Sequence, residues 1–188
     1  RLMDMVETEG VSLDKLAGLV PDTFSAHWQQ TLDFLQIVTV HWPDYLAARA
    51  RVSPAAHRNA MLMAEAGRLA AAPPSGPVIV AGVTGSIPAT AAVMAAVLRL
   101  EQGAVVLPSL DTDLDAATWA ALKDHPEHPQ YGLARLLATL GIARDKVEML
   151  SAAPLPERLR ARNALMAEAM RPAASTERWH DFLADVDK

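Results

Sequence analysis

The chain has 188 residues, of which 51% are apolar and 21% charged, and this composition predicts a globular, well-buried fold. Its net charge of −5 lacks the basic excess that a self-standing nucleic-acid-binding domain usually carries. The absence of cysteine excludes disulfides, an iron–sulfur cluster and a thiolate zinc site within these residues.

The two ends of the sequence bear on its origin and location. It starts without an initiator methionine and without a signal-peptide pattern, so we expect a fragment of a longer, cytoplasmic protein. No apolar run reaches the roughly 20 residues that a membrane-spanning helix needs, and we expect no membrane association.

Residues 1–72 carry the pattern of a helical lobe. Ser12 is placed to cap a short helix that ends before Pro21, and Ser25 is placed to cap a longer one. Ser53 followed by Pro54 predicts a further helix, because serine is a favoured N-cap and proline suits the first helical position. The four tryptophans stand at helical spacing from other apolar residues, so we interpret them as core residues rather than base-stacking platforms. They are Trp28, Trp42, Trp119 and Trp179.

Residues 77–150 read as an α/β lobe. The apolar run Val78–Ala81 leads into a glycine-containing turn, Pro88 opens an apolar helix, and a second apolar run follows at 104–107. Strand, helix and strand in this order predict a βαβ unit of a parallel sheet buried on both faces. The predicted fold class is therefore α/β, with a helical lobe joined to a small parallel sheet.

Later elements are predicted from caps and spacing. They are a helix at 116–122, a helix at 130–140 closed by Gly141, a third strand at 146–150, and a helix from Pro156 to about Met170. A last helix, capped by Ser175, contains Phe182 and Leu183, and 151–188 forms a set of C-terminal helices.

The turn at 82–88 has two interpretations. Backbone amides at a helix N-terminus hold phosphates in many proteins, which would make Gly82, Thr84, Gly85 and Ser86 a nucleotide site in a Rossmann-like enzyme domain. However, the spacing is neither GxGxxG nor GxxxxGK[ST]. The alternative is that the glycines permit a sharp turn and that Ser86 caps the helix.

An acidic loop follows the second predicted strand. Asp111, Asp113 and Asp115 alternate as in a calcium loop, but Ala116 and Leu122 stand where that loop needs glycine and glutamate. We therefore predict a solvated loop in which Asp115 caps the next helix, and no metal site.

Two other groups of side chains are candidate sites. His125 and His128 are interpreted as exposed loop residues, since no third metal ligand lies near them in sequence. Arg158 and Arg162 stand four apart, share a helix face, and are candidates for contact with DNA or a partner. The alternative is that they pair with Glu157 and other surface acids.

Three long stretches resemble the AddB family, the B subunit of AddAB helicase–nucleases in its alphaproteobacterial form. They are VIVAGVTGSIPATAAVMAAVLRLEQGAVVLPSLDTDLD, the upstream HWQQTLDFLQIVTVHWP and the downstream HPQYGLARLLATLGIARDKV. The resemblance covers about 11–149, with the stretches in the family's order.

The resemblance implies a P-loop-helicase-like core that has lost its ATPase. In an active motor of this kind a core strand ends in Asp-Glu, which positions Mg²⁺ and activates water. Ala81 and Gly82 occupy that place here, and 77–86 contains no acid. The second strand is followed by Asp111 but lacks the glycine and glutamine of the γ-phosphate sensor.

The resemblance also implies a role within a larger assembly. Residues 1–72 correspond to a helical insertion and 77–150 to the inactivated motor core, with the iron–sulfur nuclease lying beyond this segment. We therefore expect no catalytic residues and no cofactor. The implied role is to scaffold the AddA subunit and guide DNA in double-strand break repair.

Overall fold

The computed structural model describes residues 2–11, 25–150 and 154–179, which form a helix-rich α/β fold. The predictions of a helix after Ser12 and of a helix through Phe182 lie outside these residues. The predicted cap of the latter helix, Ser175, is wrong, because Ser175 lies inside a 3₁₀ turn and its hydroxyl donates to the Pro172 carbonyl at 3.0 Å. Among the described helices, none combines the length and the apolar character needed to cross a membrane. The helices and strands are α1 (Leu2–Glu9), α2 (Ser25–Gln36), α3 (Trp42–Ala47), α4 (Pro54–Ala71), β1 (Val78–Ala81), α5 (Pro88–Val97), β2 (Gly103–Val106), α6 (Ala116–Ala121), α7 (Tyr131–Leu140) and α8 (Glu157–Ala169). A π-helical turn, Ile37–His41, joins α2 to α3, and 3₁₀ turns occur at Leu122–Asp124, Arg144–Lys146 and Ala173–Arg178.

Several helix ends confirm the predicted caps. The Ser53 hydroxyl accepts the Ala56 N–H at 3.1 Å, and it also donates to the carboxylate of Glu7, which ties α1 to the start of α4. Asp115 accepts the Thr118 N–H at 2.9 Å and caps α6. Gly141 ends α7 in the left-handed region. These residues fix where α4, α6 and α7 begin or end, because each supplies a hydrogen-bond partner or a backbone conformation that the helix terminus needs.

The βαβ unit is confirmed. β1 and β2 are parallel neighbours, with Val78 opposite Gly103 and Ala81 opposite Val106, and α5 crosses between them. Gly103 is required for this crossing, because a Cβ there would lie 1.8 Å from the carbonyl oxygen of Val97 at the end of α5. The glycine lets the second strand start directly under the helix.

Burial of the sheet on both faces was predicted, and that prediction is wrong. Val80 and Val105 pack into the two core clusters formed with α4, α5 and α7. Ile79 points to the other face and remains 64% exposed. The described helices cover one face of the sheet only, so burial alternates along β1.

The predicted third strand at 146–150 is also wrong. Arg144–Lys146 forms a 3₁₀ turn, and within the described residues the sheet has only two strands. The Arg144 guanidinium binds the carbonyl of Leu114 at 2.6 Å and lies over the Trp119 ring. This contact fixes the turn to the loop after β2. Met149 and Leu150 follow it as exposed residues.

The core interpretation is wrong for Trp42, which is 40% exposed. Its ring stacks on Tyr45 at a centroid distance of 5.7 Å, and the Arg49 guanidinium lies 3.7 Å from the Tyr45 ring centroid. The π-helical turn before Trp42 explains the error, because one extra residue rotates the following side chains by about 100°. Trp179 is exposed to a similar extent, at 43%.

Candidate functional site

The turn after β1 has the predicted conformation. Gly82 and Gly85 both have positive φ, at 72° and 61°. At Gly85 a Cβ would also lie 2.6 Å from Leu136 Cδ1. A side chain there would therefore be strained both by the positive φ and by this clash. The glycines therefore serve the turn and the packing of α7 beneath it.

The same turn lacks the predicted serine cap. Ile87, in extended conformation, is the N-cap residue of α5, and Pro88 follows with no N–H to offer a phosphate. Ser86 instead presents its carbonyl oxygen to Arg135, whose Nη2 lies 2.7 Å away. Thr84 and the Ser86 side chain are exposed. The helix starts at Pro88 because a proline favours an extended conformation in the residue before it, here Ile87.

Asp111, after β2, is the centre of a tight loop. One of its carboxylate oxygens accepts the N–H groups of Asp113 and Leu114, at 2.8 and 3.1 Å. The Gln130 side chain accepts the Asp111 N–H at 3.1 Å and donates to the Ser109 carbonyl at 2.9 Å. The carboxylate that stands at the end of the second strand thus holds its own loop in shape. The described residues contain no group of three or more acids and histidines placed to hold a metal ion.

The two loop histidines differ in environment. His125 pairs with Glu127 at 2.9 Å and is partly exposed. His128 is only 8% exposed, which corrects the prediction that both are surface residues. Its Nδ1 accepts the Gln130 N–H at 3.1 Å, so the neutral ring carries its proton on Nε2. That buried nitrogen has no hydrogen-bond partner among the described residues.

A buried charged cluster surrounds Arg171 and was not predicted from the sequence. The guanidinium is bound by Asp115, by the Thr118 hydroxyl at 2.8 Å and by Glu168. The Thr118 backbone N–H and then Arg171 hold the pKa of Asp115 well below its usual range, and Glu168 and then Asp115 raise the pKa of Arg171. The spacing of Glu168 and Arg171 signals their own pairing, but nothing in the sequence links either residue to Asp115.

A groove of about 850 Å³ lies between this loop region and α8. We call it the α8 groove. One wall is formed by 109–113 and 128–130, and the other by the α8 side chains from Arg160 onwards. Its apolar surface comes mainly from Met149, Leu155, Met166 and Met170. The groove lies beyond the carboxyl end of β2, the position where α/β sheets usually bind ligands.

The structure separates the arginines of α8. Arg158 and Arg162 share an exposed face that does not line the α8 groove, whereas Arg160 does line it. The predicted alternative for Arg158 and Arg162, pairing with Glu157, does not occur, and within the described residues none of the three arginines has an ion-pair partner. Three arginines without an ion-pair partner in the described part of the chain thus lie within five positions of one helix.

Comparisons of the chain with protein families, with curated proteins and with solved structures found no match.

Proposed function

We propose that this chain is a non-catalytic part of an AddB-type subunit of a cytoplasmic helicase–nuclease that repairs DNA double-strand breaks. In this role it scaffolds the AddA motor subunit and helps to guide DNA, and its sheet is the remnant of a P-loop helicase core. It needs no cofactor of its own.

The observation that carries the proposal is the chemistry of the segments that follow the two strands. Residues 77–86 contain no acid, so β1 ends without the pair that an ATPase needs. In the loop after β2, one oxygen of the Asp111 carboxylate accepts two backbone N–H groups of that loop. The parallel strands remain, while the groups that would hold Mg²⁺ and activate water do not.

The alternative function is a Rossmann-like enzyme domain that binds a nucleotide at 82–88. The positive φ angles of Gly82 and Gly85 favour it. Pro88 at the start of α5 opposes it, because proline removes one backbone N–H from the helix N-terminus. The Arg135 guanidinium beside the turn donates to the Ser86 carbonyl oxygen instead of to a ligand.

Isothermal titration with a non-hydrolysable Mg–ATP analogue separates the two functions. The scaffold function expects no binding heat. Micromolar binding that disappears in Gly82→Val would establish the enzyme alternative. Val83→Ala is a matched control, since it shortens an exposed side chain of the same turn and leaves both glycines in place.

Complex formation tests the scaffold role directly. The full chain is mixed with a purified AddA-type motor subunit and run on a sizing column with light scattering. We expect a 1:1 complex. A motor that elutes unchanged at all mixing ratios would overturn the proposed function.

A further inference from the structure

Three exposed methionines line the α8 groove. Met149 is 69% exposed, Met166 53% and Met170 43%, and all three line the same groove. Apolar side chains that gather in a concave site beside a few charged groups are typical of binding sites. Methionine is also the apolar side chain that adapts most easily to different partners.

The polar residues of the groove carry opposite charges on its two walls. Arg160 stands on the α8 wall, without an ion-pair partner among the described residues. Asp111 and the exposed Asp113 stand on the facing wall. A polyanion such as a nucleic acid would place phosphates against these two carboxylates, and it would leave the methionine surface uncovered. The charge pattern therefore favours an apolar occupant of mixed charge.

The dimensions of the groove suit a short stretch of polypeptide. From Arg160 to Met170 the α8 wall extends about 15 Å, which is roughly three turns of a facing helix. An amphipathic segment in such a groove buries apolar side chains every three to four residues and keeps its charged side chains at the rims.

We propose that the α8 groove docks a short amphipathic segment of a partner protein. The segment places apolar side chains on Met149, Met166 and Met170. It directs an acidic side chain toward Arg160 and a basic side chain toward Asp113. This inference rests on the proposed scaffold function, to which it adds a site and the chemistry of the partner.

Selection from a phage-displayed library of random peptides of about 12 residues tests the site, since that length forms about three helical turns. The immobilised protein is the full chain. We expect enriched sequences with apolar residues at helical spacing and an acidic residue at one flank. A labelled consensus peptide then serves as the probe for fluorescence anisotropy.

Two variants and two matched controls locate the bound peptide. Arg160→Glu should weaken binding of the consensus peptide at least tenfold. The same variant should bind a peptide in which lysine replaces the acidic residue more tightly than the wild type does. Arg158→Glu changes the same charge on the outward face and should have no effect on either peptide. Met166→Glu should abolish binding, whereas Met61→Glu, at an exposed methionine of α4 outside the groove, should not.

Three outcomes would overturn the docking site. The first is a library without enrichment. The second is a consensus peptide that the Met166→Glu variant binds with unchanged affinity. The third is a charge preference that changes with substitution of Arg158 and not of Arg160. Displacement of the peptide by single-stranded DNA, with the Arg160→Glu and Met166→Glu variants equally affected in DNA binding, would assign the groove to nucleic acid. None of these results alters the Mg–ATP and motor-subunit measurements, so failure of the groove is distinguishable from failure of the proposed function.

Discussion

Arg171 and Asp115 stand 56 residues apart in the chain and form a buried ion pair, with 2.6 Å between Nη1 and Oδ2. The guanidinium lies directly after α8, and the carboxylate caps α6. The Trp179 indole donates to the Glu168 carbonyl at 2.9 Å and so joins the segment after α8 back to the end of the helix. The C-terminal end of α8 is therefore fixed to the α/β part, while its N-terminal half stands exposed beside the groove.

Replacing Arg171 with methionine should destabilise the fold by about 3 kcal/mol, because it leaves two carboxylates without their buried cation. Urea denaturation followed by circular dichroism measures the loss. Arg68→Met is the control, since Arg68 forms a similar pair with Glu65 three residues earlier but on the exposed surface of α4. Equal effects of the two substitutions would show that burial of the Arg171 cluster contributes nothing.

Acid should weaken the same cluster. The folded state depresses the pKa of Asp115 below its unfolded value of about 3.9, so the stability it contributes is complete above that pH and is lost as the pH falls below about 4. Asp115→Asn keeps an N-cap side chain but cannot ionise. It should be less stable than the wild type at pH 7, and the difference should shrink toward pH 2. A difference that stays constant over this range would contradict the assignment.

The Nδ1 of His128 should contribute more to stability than its Nε2–H, which has no partner among the described residues. Asparagine places its amide oxygen as many bonds from Cα as Nδ1 of histidine, so His128→Asn keeps an acceptor for the Gln130 N–H and has no atom at the position of Nε2. His128→Gln places its amide at the distance of Nε2 and lacks an acceptor at the position of Nδ1. We expect the asparagine variant to be more stable than the glutamine variant by about 1 kcal/mol, the usual net contribution of one hydrogen bond. Thermal unfolding compares them, and the reverse order would show that Nε2 makes a stabilising contact.

Gly103→Ala should prevent the crossing of α5 and β2. The new Cβ would lie 1.8 Å from a backbone oxygen, which neither strand nor helix can vacate without losing the parallel pairing. We expect a loss of about 3 kcal/mol or more, in the range of severe core overpacking. Gly67→Ala is the matched control, because Gly67 lies in α4 with open space around it, and there alanine should stabilise by about 1 kcal/mol. Equal shifts of the urea midpoint in the two variants would refute the steric argument.

The isolated chain should bind single-stranded DNA no more tightly than about 10⁻⁴ M at physiological salt, because its net charge of −5 allows little counterion release. Anisotropy of a labelled strand measures this. The double variant Arg158→Gln with Arg162→Gln, which removes two positive charges from the outward face of α8, should leave the weak signal nearly unchanged. Sub-micromolar, salt-sensitive binding would show that a DNA-binding surface is complete within these residues.

The local features of the fold were predictable from the sequence. Asp115 as a cap and the strand at Val78–Ala81 depend on residues within a few positions of one another, and the parallel pairing follows from the length of α5. These features can be predicted from the sequence because caps, turns and apolar runs depend on residues close together in the chain.

Features that depend on distant residues were not predictable. The exposure of Ile79 follows from which helices pack on the sheet, and the stretch after Arg144 is not a strand because its turn is fixed to the loop at Leu114. Likewise, no spacing rule predicts the burial of His128 or the contact between Asp115 and Arg171, because both depend on segments that are distant in the sequence.

The apolar lining of the α8 groove includes three exposed thioethers, which make the groove sensitive to oxidants. Peroxide converts exposed methionines to sulfoxides, which are polar and chiral, and reductase enzymes reverse the change. Met149, Met166 and Met170 are exposed enough for this reaction. Oxidised protein would keep its buried Met94 and its fold, and would present a polar groove to any apolar partner.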